Sequence, residues 1–275
     1  MSNKKIIISG STGFVGKSLV PTLGKEKLLF FNRYSFEEKN KPLLFNIKNE
    51  PVLISEISNN EITLLHLATH YSVNEKDRKK IYSANISFGE KILNSLNQIK
   101  IKKIIYTNTM FNFYENEQLK NCYYSETKKQ FSKIIQSFSN EKSINYEEIY
   151  LDNTFGKRDK RKKIISEIAK CVSSNKENPI KNPENLINIL YIGDIINRLK
   201  YAIDNSTSVG TSAFVGKESY VLSSIYDFLF AYNKTNNKEV DLLKKARNYY
   251  TNDMPEIDYK NVKLHDIPSQ LTKLI

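Results

Sequence analysis

The 275-residue chain has no apolar run of membrane-spanning length and holds only two cysteines and three histidines. A helix crossing a bilayer needs about 20 consecutive apolar residues, so none is expected. The opening Lys4-Lys5-Ile6 leads into a strand-like run rather than the long apolar core of a secretion signal. Cys122 and Cys171 are far apart and in no metal-ligand spacing. That excludes a disulfide-stapled scaffold and a cysteine metal site, and it points to a reducing compartment, the cytoplasm. Of the histidines, His66 lies inside an apolar run and reads as a core residue, His265 reads as surface, and His70 just beyond that run is a candidate for a site. No metal is expected.

Acidic residues are also short, 30 against 42 lysines and arginines, a formal charge of +12. Such a surplus raises the question of nucleic acid. The lysines are scattered among Asn and Ile along the whole chain, and no groove-reading motif accompanies them. The densest cluster, Lys157-Arg158-Asp159-Lys160-Arg161-Lys162-Lys163, is one short loop. A loop like that suits a small polyanion such as a nucleotide diphosphate, so nucleic acid is not an expected partner.

What is present is a concentrated signal at the start. Lys4-Lys5-Ile6-Ile7-Ile8-Ser9 runs into Gly10-Ser11-Thr12-Gly13-Phe14-Val15-Gly16, and Leu19, Val20 and Leu23 follow at helical spacing. The pattern predicts a buried strand, a tight turn and a helix N-terminus. In a dinucleotide-binding unit one glycine makes the turn, one lets the backbone approach a pyrophosphate and one lets the helix pack on the strand. The alternative is a purely structural turn.

Further strands are predicted at Lys27–Arg33, Leu43–Asn46, Ile62–Ala68 and Ile104–Thr109, with a short helix over Pro51–Ile57 and a long amphipathic one over Lys79–Ile99. Strand and helix alternate, which predicts an α/β fold with a doubly wound, parallel, Rossmann-type sheet. The expected division is a dinucleotide-binding domain over 1–152 and a smaller substrate-binding lobe over 153–275, with segments returning to the core. The second strand ends in Asn32-Arg33, where an Asp or Glu would hold the ribose hydroxyls of NAD. A guanidinium there suits a 2′-phosphate, so NADPH is the favoured cofactor, with NAD the alternative.

Cys122-Tyr123-Tyr124-Ser125-Glu126-Thr127-Lys128 opens another helix, continued by Phe131, Ile134, Ile135 and Phe138. Tyr124 and Lys128 are four apart and share one face. A nearby ammonium is expected to draw the phenol below its usual pKa of about 10 and make it a usable acid or base. Tyr123 points elsewhere. Tyr249-Tyr250 reads as an exposed or interface pair, and the Asn-rich run over 232–238 as a loop.

Taken together, these pieces resemble the extended short-chain dehydrogenase/reductases of the nucleotide-sugar type. The glycine motif matches Gly10, Gly13 and Gly16, the YxxxK motif Tyr124 and Lys128, and the catalytic Ser/Thr falls on Thr109. His66-Leu67-Ala68-Thr69 corresponds to the family's H-L-A-A segment, and Asn85 to the Asn of its long fourth helix. Asn153-Thr154-Phe155-Gly156 resembles its N-x-Y-G segment, Asp159–Ile165 a G-x-x-D-x-R-x-K stretch, Tyr191–Asp194 its V-x-D segment and Phe214–Lys217 its glycine-bearing strand. The resemblance implies catalysis by Thr109, Tyr124 and Lys128. It implies cofactor contacts from Gly10 through Gly16, from Asn32, Arg33, Asn46, Ile47, Leu67, Ala68, Thr69, Asn85 and Thr107, and from Tyr124 and Lys128 again. It implies substrate contacts from His70, Tyr71, Thr109, Met110, Asn153, Arg161 and Lys162, Arg161 being equally readable as a solvated loop residue. A homodimer paired through helices is the default arrangement.

The departures narrow the chemistry. Nucleotide-sugar 4,6-dehydratases carry an Asp-Glu pair after the catalytic Thr, and Met110-Phe111 stand there instead. Leu65–Val73 and Asp159–Ile165 most resemble CDP-sugar 4-ketoreductases of the abequose and paratose synthase kind. The implied activity is NADPH-dependent reduction of the 4-keto group of a nucleotide-activated deoxysugar, CDP-4-keto-3,6-dideoxyhexose or a related sugar, for surface polysaccharide. An NAD-dependent nucleotide-sugar 4-epimerase and a non-catalytic NAD(P)-sensing protein are the competing readings.

Overall fold

The computed structural model describes residues 4–32, 34–37, 42–205, 207, 210–235, 242–260 and 262–275, so Arg33 lies outside the described residues. Its strands are β1 (Lys4–Ser9), β2 (Leu28–Phe31), β3 (Leu43–Phe45), β4 (Pro51–Leu53), β5 (Glu61–His66), β6 (Ile101–Thr109), β7 (Asn145–Leu151), β8 (Asn153–Phe155), β9 (Leu186–Tyr191), β10 (Gly210–Phe214), β11 (Ser219–Val221) and β12 (Lys245–Ala246). Its α-helices are α1 (Phe14–Leu19), α2 (Arg78–Tyr82), α3 (Phe88–Ser95), α4 (Glu117–Lys120), α5 (Tyr123–Glu141), α6 (Ile164–Ser173), α7 (Ile192–Asp204), α8 (Leu222–Thr235) and α9 (Ile267–Leu271). Among the described residues no helix is long and apolar enough to cross a membrane.

Successive side chains of a strand face opposite sides, so a strand apolar at every position needs cover on both. Ile7 of β1 packs in a cluster with Leu29, Leu64, Ile104 and, from α5, Phe131. Ile8 packs on the other side with Leu65 and Ile105, with Leu19 of α1 and with Leu199 of α7. Each such side chain contributes roughly 1.5–3 kcal/mol by leaving water. The sheet is thereby sandwiched between two helical layers.

The large sheet has the order β10-β7-β6-β5-β1-β2-β3-β4. Strands β2, β1, β5, β6, β7 and β10 are parallel. The chain moves from β1 to β2 on one side and from β5 outward on the other, which puts the topological switch, where ligands bind in open α/β sheets, at the β1/β5 boundary. Strands β3 and β4 depart from the expected all-parallel sheet: β3 pairs antiparallel with β2 and with β4. The β3–β4 connection is too short for a helical crossover, so a hairpin forms. Pro51 opens this outermost strand, where no ladder donor is needed, and only Ile54–Ile57 wind into a 3-10 turn.

A smaller sheet, β12-β11-β9-β8, lies after β7 and buries Phe155, Ile165, Ile189, Phe228 and Leu229 against α6 and α8. The chain then returns. Helix α7 covers the large sheet and β10 pairs with β7. Beneath that return, fully buried Glu147 sits between Lys103 (2.6 Å) and Arg198 (2.7 Å).

Candidate active site

Gly10 leaves β1 with φ of +78°, a left-handed conformation, and a Cβ there would lie 2.6 Å from the Ala68 nitrogen. A Cβ on Gly16 would lie 2.3 Å from the Gly10 carbonyl oxygen. The turn is as tight as backbone permits, with α1 pressed onto the end of β1 beside the end of β5. Any larger residue would fill this cradle, which therefore fits the approach of a dinucleotide pyrophosphate to backbone N–H groups.

The end of β5 is held from below. Asn85 is buried in a π-helical turn (Ser83–Ser87) that splits the expected long helix into α2 and α3. Its Oδ1 accepts from the Thr69 hydroxyl (3.0 Å) and the His70 N–H (2.8 Å), while its Nδ2 donates to Thr127 of α5 (3.0 Å). Wide turns of this kind concentrate at functional sites. His66 is a packed core residue, its Nδ1 against the Ser9 hydroxyl (2.9 Å), and burial pulls its pKa down to about 3.

Helix α5 brings Tyr124 and Lys128 to the same cavity as Thr107 and Thr109 from β6, with Val15, Leu67, Thr69 and Tyr71 on one side and Asp152, Asn153, Arg161 and Lys163 on the other. The cavity opens to solvent, and polar groups from several elements converge on it. Tyr123 turns away and lies under the Arg78 guanidinium. The Thr109 hydroxyl accepts from the Phe111 N–H (3.3 Å), and its own N–H donates to Asn108 Oδ1 (2.8 Å). Among the described residues no group of His, Cys, Asp and Glu could hold a metal ion.

The protonation states reverse the sequence expectation. Burial, with the Tyr71 phenol beside it, pushes Tyr124 up to about 12 against the pull of the Thr69 and Thr109 hydroxyls. Burial brings Lys128 down to about 7, opposed by the Glu148 carboxylate. The Lys128 ammonium donates to the Thr107 carbonyl (2.7 Å) and lies 4.2 Å from the Tyr106 ring centre. Desolvation therefore outweighs whatever the neighbouring cation does for the phenolate. Tyr124 is a protonated phenol at neutral pH, a proton donor in waiting.

The basic loop alternates. Lys157, Arg158, Lys160 and Lys162 are exposed, while Asp159, Arg161 and Lys163 turn in. Arg161 is no solvated loop residue. Its Nε and one terminal nitrogen grip Asp159 (both 2.8 Å), that nitrogen also reaches the Thr154 hydroxyl (2.7 Å), and the guanidinium lies 4.4 Å from the Phe14 ring centre. The inward lysine is Lys163, not Lys162. Its ammonium stands 3.0 Å from the Tyr71 ring centre, burial brings it down to about 7, and Tyr71 in turn packs edge-on to Tyr124 with centroids 5.0 Å apart.

Other residues singled out in the sequence have contacts of their own. Asn46 spends its amide on the β3–β4 turn, on Glu50 (2.7 Å) and Lys48 (2.9 Å), and Ile47 is exposed. Asn32 accepts from the Tyr34 N–H (2.8 Å). Met110 is fully buried and Phe111 lines the cavity in its stead. Tyr249 and Tyr250, expected as an exposed or interface pair, are buried with Tyr114 around Asp152. His265 is exposed, as its sequence context predicts, with its Nδ1 against buried Asp194 (2.5 Å). Reading the sequence missed Asp152, although a carboxylate directly before the Asn153 segment in an apolar strand end was a signal.

Comparison with known proteins bears on this arrangement. Over 203 residues the chain is 27% identical to a CDP-abequose synthase of Salmonella muenchen, covering 70% of this chain and 68% of that protein. Over 255 residues it is 25% identical to the CDP-abequose synthase of Salmonella typhimurium strain LT2, covering 81% and 84%. The fold superimposes on UDP-glucuronic acid 4-epimerase from Bacillus cereus in complex with NAD with a TM-score of 0.74 at 15% identity, over 98% of this chain and 94% of that one. The family pattern described as "NAD dependent epimerase/dehydratase family" matches residues 6–216. The chain belongs to the NAD dependent epimerase/dehydratase family and is an enzyme of its NAD(P)-dependent oxidoreductase type.

Proposed function

We propose that the protein reduces the 4-keto group of a nucleotide-activated deoxysugar with NADPH, serving surface-polysaccharide assembly. The observation that carries the reading is the convergence of Thr109, Tyr124 and Lys128 on one cavity beside the tight glycine turn. When bound, the dinucleotide supplies a hydride to the carbonyl carbon. Negative charge then develops on the carbonyl oxygen, and preorganised donors there lower the barrier. The Thr109 hydroxyl orients that oxygen, and Tyr124 gives it a proton as general acid, so hydride plus proton yields the secondary alcohol. Lys128 holds the cofactor ribose and carries positive charge toward the phenolate left behind.

Arg161 and Lys163 are the cations for the nucleotide diphosphate, with Asn153 near the sugar. The CDP-abequose synthase relatives favour a CDP-sugar, and Met110-Phe111 after Thr109 disfavour dehydration. Asn32-Arg33 after β2 favours NADPH.

The test follows loss of NADPH absorbance with CDP-4-keto-3,6-dideoxyhexose, with NADH in parallel. Turnover with NADPH that falls by about 10²–10⁴ in Tyr124→Phe is the expected result. No turnover with either cofactor, together with NAD released on denaturing the protein, would overturn the reductase in favour of a 4-epimerase.

A further inference from the structure

Asp152 and Asn153 stand where the chain leaves the large sheet for the small one. Asp152 is only 6% exposed, yet it lines the cavity. A carboxylate in such a place needs donors, and five converge on it. The Tyr114 hydroxyl, the Asn153 N–H (2.6 Å) and Asn153 Nδ2 (2.6 Å) reach Oδ1. The Tyr250 hydroxyl and, at 3.4 Å, the Tyr249 hydroxyl reach Oδ2.

These donors belong to segments remote in sequence. Tyr114 closes the turn that begins at Thr109. Tyr249 and Tyr250 belong to a strap after β12 that lies along this turn, with the Glu115 N–H donating to the Tyr249 carbonyl (3.0 Å) and the Thr251 N–H to the Phe113 carbonyl (2.7 Å). Asp152 is the point at which strap, turn and strand end are joined.

An ionised carboxylate has about four lone-pair sites. Those of Asp152 are taken, which leaves it no capacity to act as a base or to hold Lys163. The effect falls on Asn153 instead. Its Nδ2 is committed to Asp152, to the Tyr114 oxygen (3.0 Å) and to the Asn188 carbonyl (3.3 Å). Among the described residues its Oδ1 has no partner, so the amide is held in the one orientation in which it can only accept.

We propose that Asp152 is a positioning residue for the substrate half of the cavity, fixing Asn153 as acceptor for a hydroxyl of the bound nucleotide sugar and pinning the Tyr249-Tyr250 strap to the segment that begins at Thr109. This deepens the reductase reading and rests on it.

Asp152→Asn keeps the shape but sets a donor against donors. The KM for the keto-sugar nucleotide rises about tenfold, equivalent to about 1.4 kcal/mol, while the KM for NADPH and kcat stay within about twofold. Tyr250→Phe removes one donor, leaves the carboxylate, and moves the same KM less far. A second readout needs no turnover. The chain has 17 tyrosines and no tryptophan, so tyrosine emission is directly visible, and phenols bonded to a carboxylate are quenched. Burial has raised Asp152 to about 6, and the titratable groups facing it are Tyr114, Tyr249, Tyr250 and Lys163. Asp152→Asn raises the emission and removes a component titrating near pH 6.

An unchanged keto-sugar KM in a variant whose emission has changed as stated makes Asp152 merely structural and overturns the proposal. Should the wild type turn over no keto-sugar, the reductase reading falls separately. The calorimetric Kd of a CDP-sugar then decides, a roughly tenfold weakening in Asp152→Asn supporting the proposal. An unchanged Kd, or a wild type that binds no nucleotide sugar, overturns it.

Discussion

Glu148 accepts a 2.6 Å hydrogen bond from Asn108 Nδ2, and through Asn108, whose Oδ1 takes the Thr109 N–H at 2.8 Å, a buried carboxylate on β7 fixes the backbone of the residue at the end of β6. The same carboxylate accepts from Ser132 (2.9 Å) and the Tyr146 hydroxyl (3.0 Å), and its charge holds up the pKa of Lys128. One acidic group therefore serves both the position of Thr109 and the charge of Lys128.

Replacing Glu148 by Gln keeps most of these contacts and removes the charge. The pKa of Lys128, already brought to about 7 by burial, then falls further. The ammonium exists below that pKa and is lost above it, so the alkaline limb of kcat/KM moves to lower pH. A displacement of about one unit corresponds to about 1.4 kcal/mol. A pH profile of NADPH oxidation by wild type and Glu148→Gln checks it, and an unmoved alkaline limb would show that Lys128 does not need its charge.

Gly10→Ala meets both a left-handed backbone and a nitrogen 2.6 Å from the new Cβ. Strained backbone of that kind costs about 1–3 kcal/mol, and relief by shifting the turn closes the cradle. The expected outcome is a lower urea midpoint together with loss of NADPH binding by fluorescence titration. A variant that binds normally would remove the turn from the cofactor site.

The alternation of the basic loop separates two neighbouring lysines. Lys163→Met is expected to raise the KM for the nucleotide sugar on the order of tenfold, about 1.4 kcal/mol, while Lys162→Met leaves it unchanged. Equal effects would mean that the loop acts through its overall charge.

Glu147→Gln takes away the carboxylate that pairs with both the Lys103 ammonium and the Arg198 guanidinium, which are 2% and 0% exposed. Breaking a buried ion pair from one side costs about 3–5 kcal/mol. Equilibrium urea denaturation should show a loss of that order. A loss below about 1 kcal/mol, the range of exposed pairs, would mean that water reaches the site.

Short-range patterns were legible in the sequence. The glycine turn, the apolar strands and the shared face of Tyr124 and Lys128 each depend on spacings of a few residues, which a sequence displays directly. What spacing cannot display is solvation. The expected lowering of the Tyr124 pKa came from proximity alone, and burial reverses it. Nor does it display contacts made at a distance. Asp152 meets Tyr114 and Tyr250 across 38 and 98 residues, so a pair that reads as exposed or interface tyrosines is instead buried behind a carboxylate that lines the cavity. The choice between Lys162 and Lys163 turns on the path of a loop whose Arg158 has φ of +73°, a conformation that a run of basic residues does not announce.

The return of the chain to the large sheet has a consequence for how the protein is made. Strand β7 ends at Leu151, and the strand that shields its outer edge, β10, does not begin until Gly210. On the ribosome, at about 5–20 residues per second, that edge stands bare for several seconds while the smaller sheet is still being synthesised. An unpaired edge is a template for another chain. The interval between β7 and β10 is therefore when the nascent protein is most open to mispairing, and a stalled or truncated chain ending in the smaller sheet would carry that exposed edge permanently.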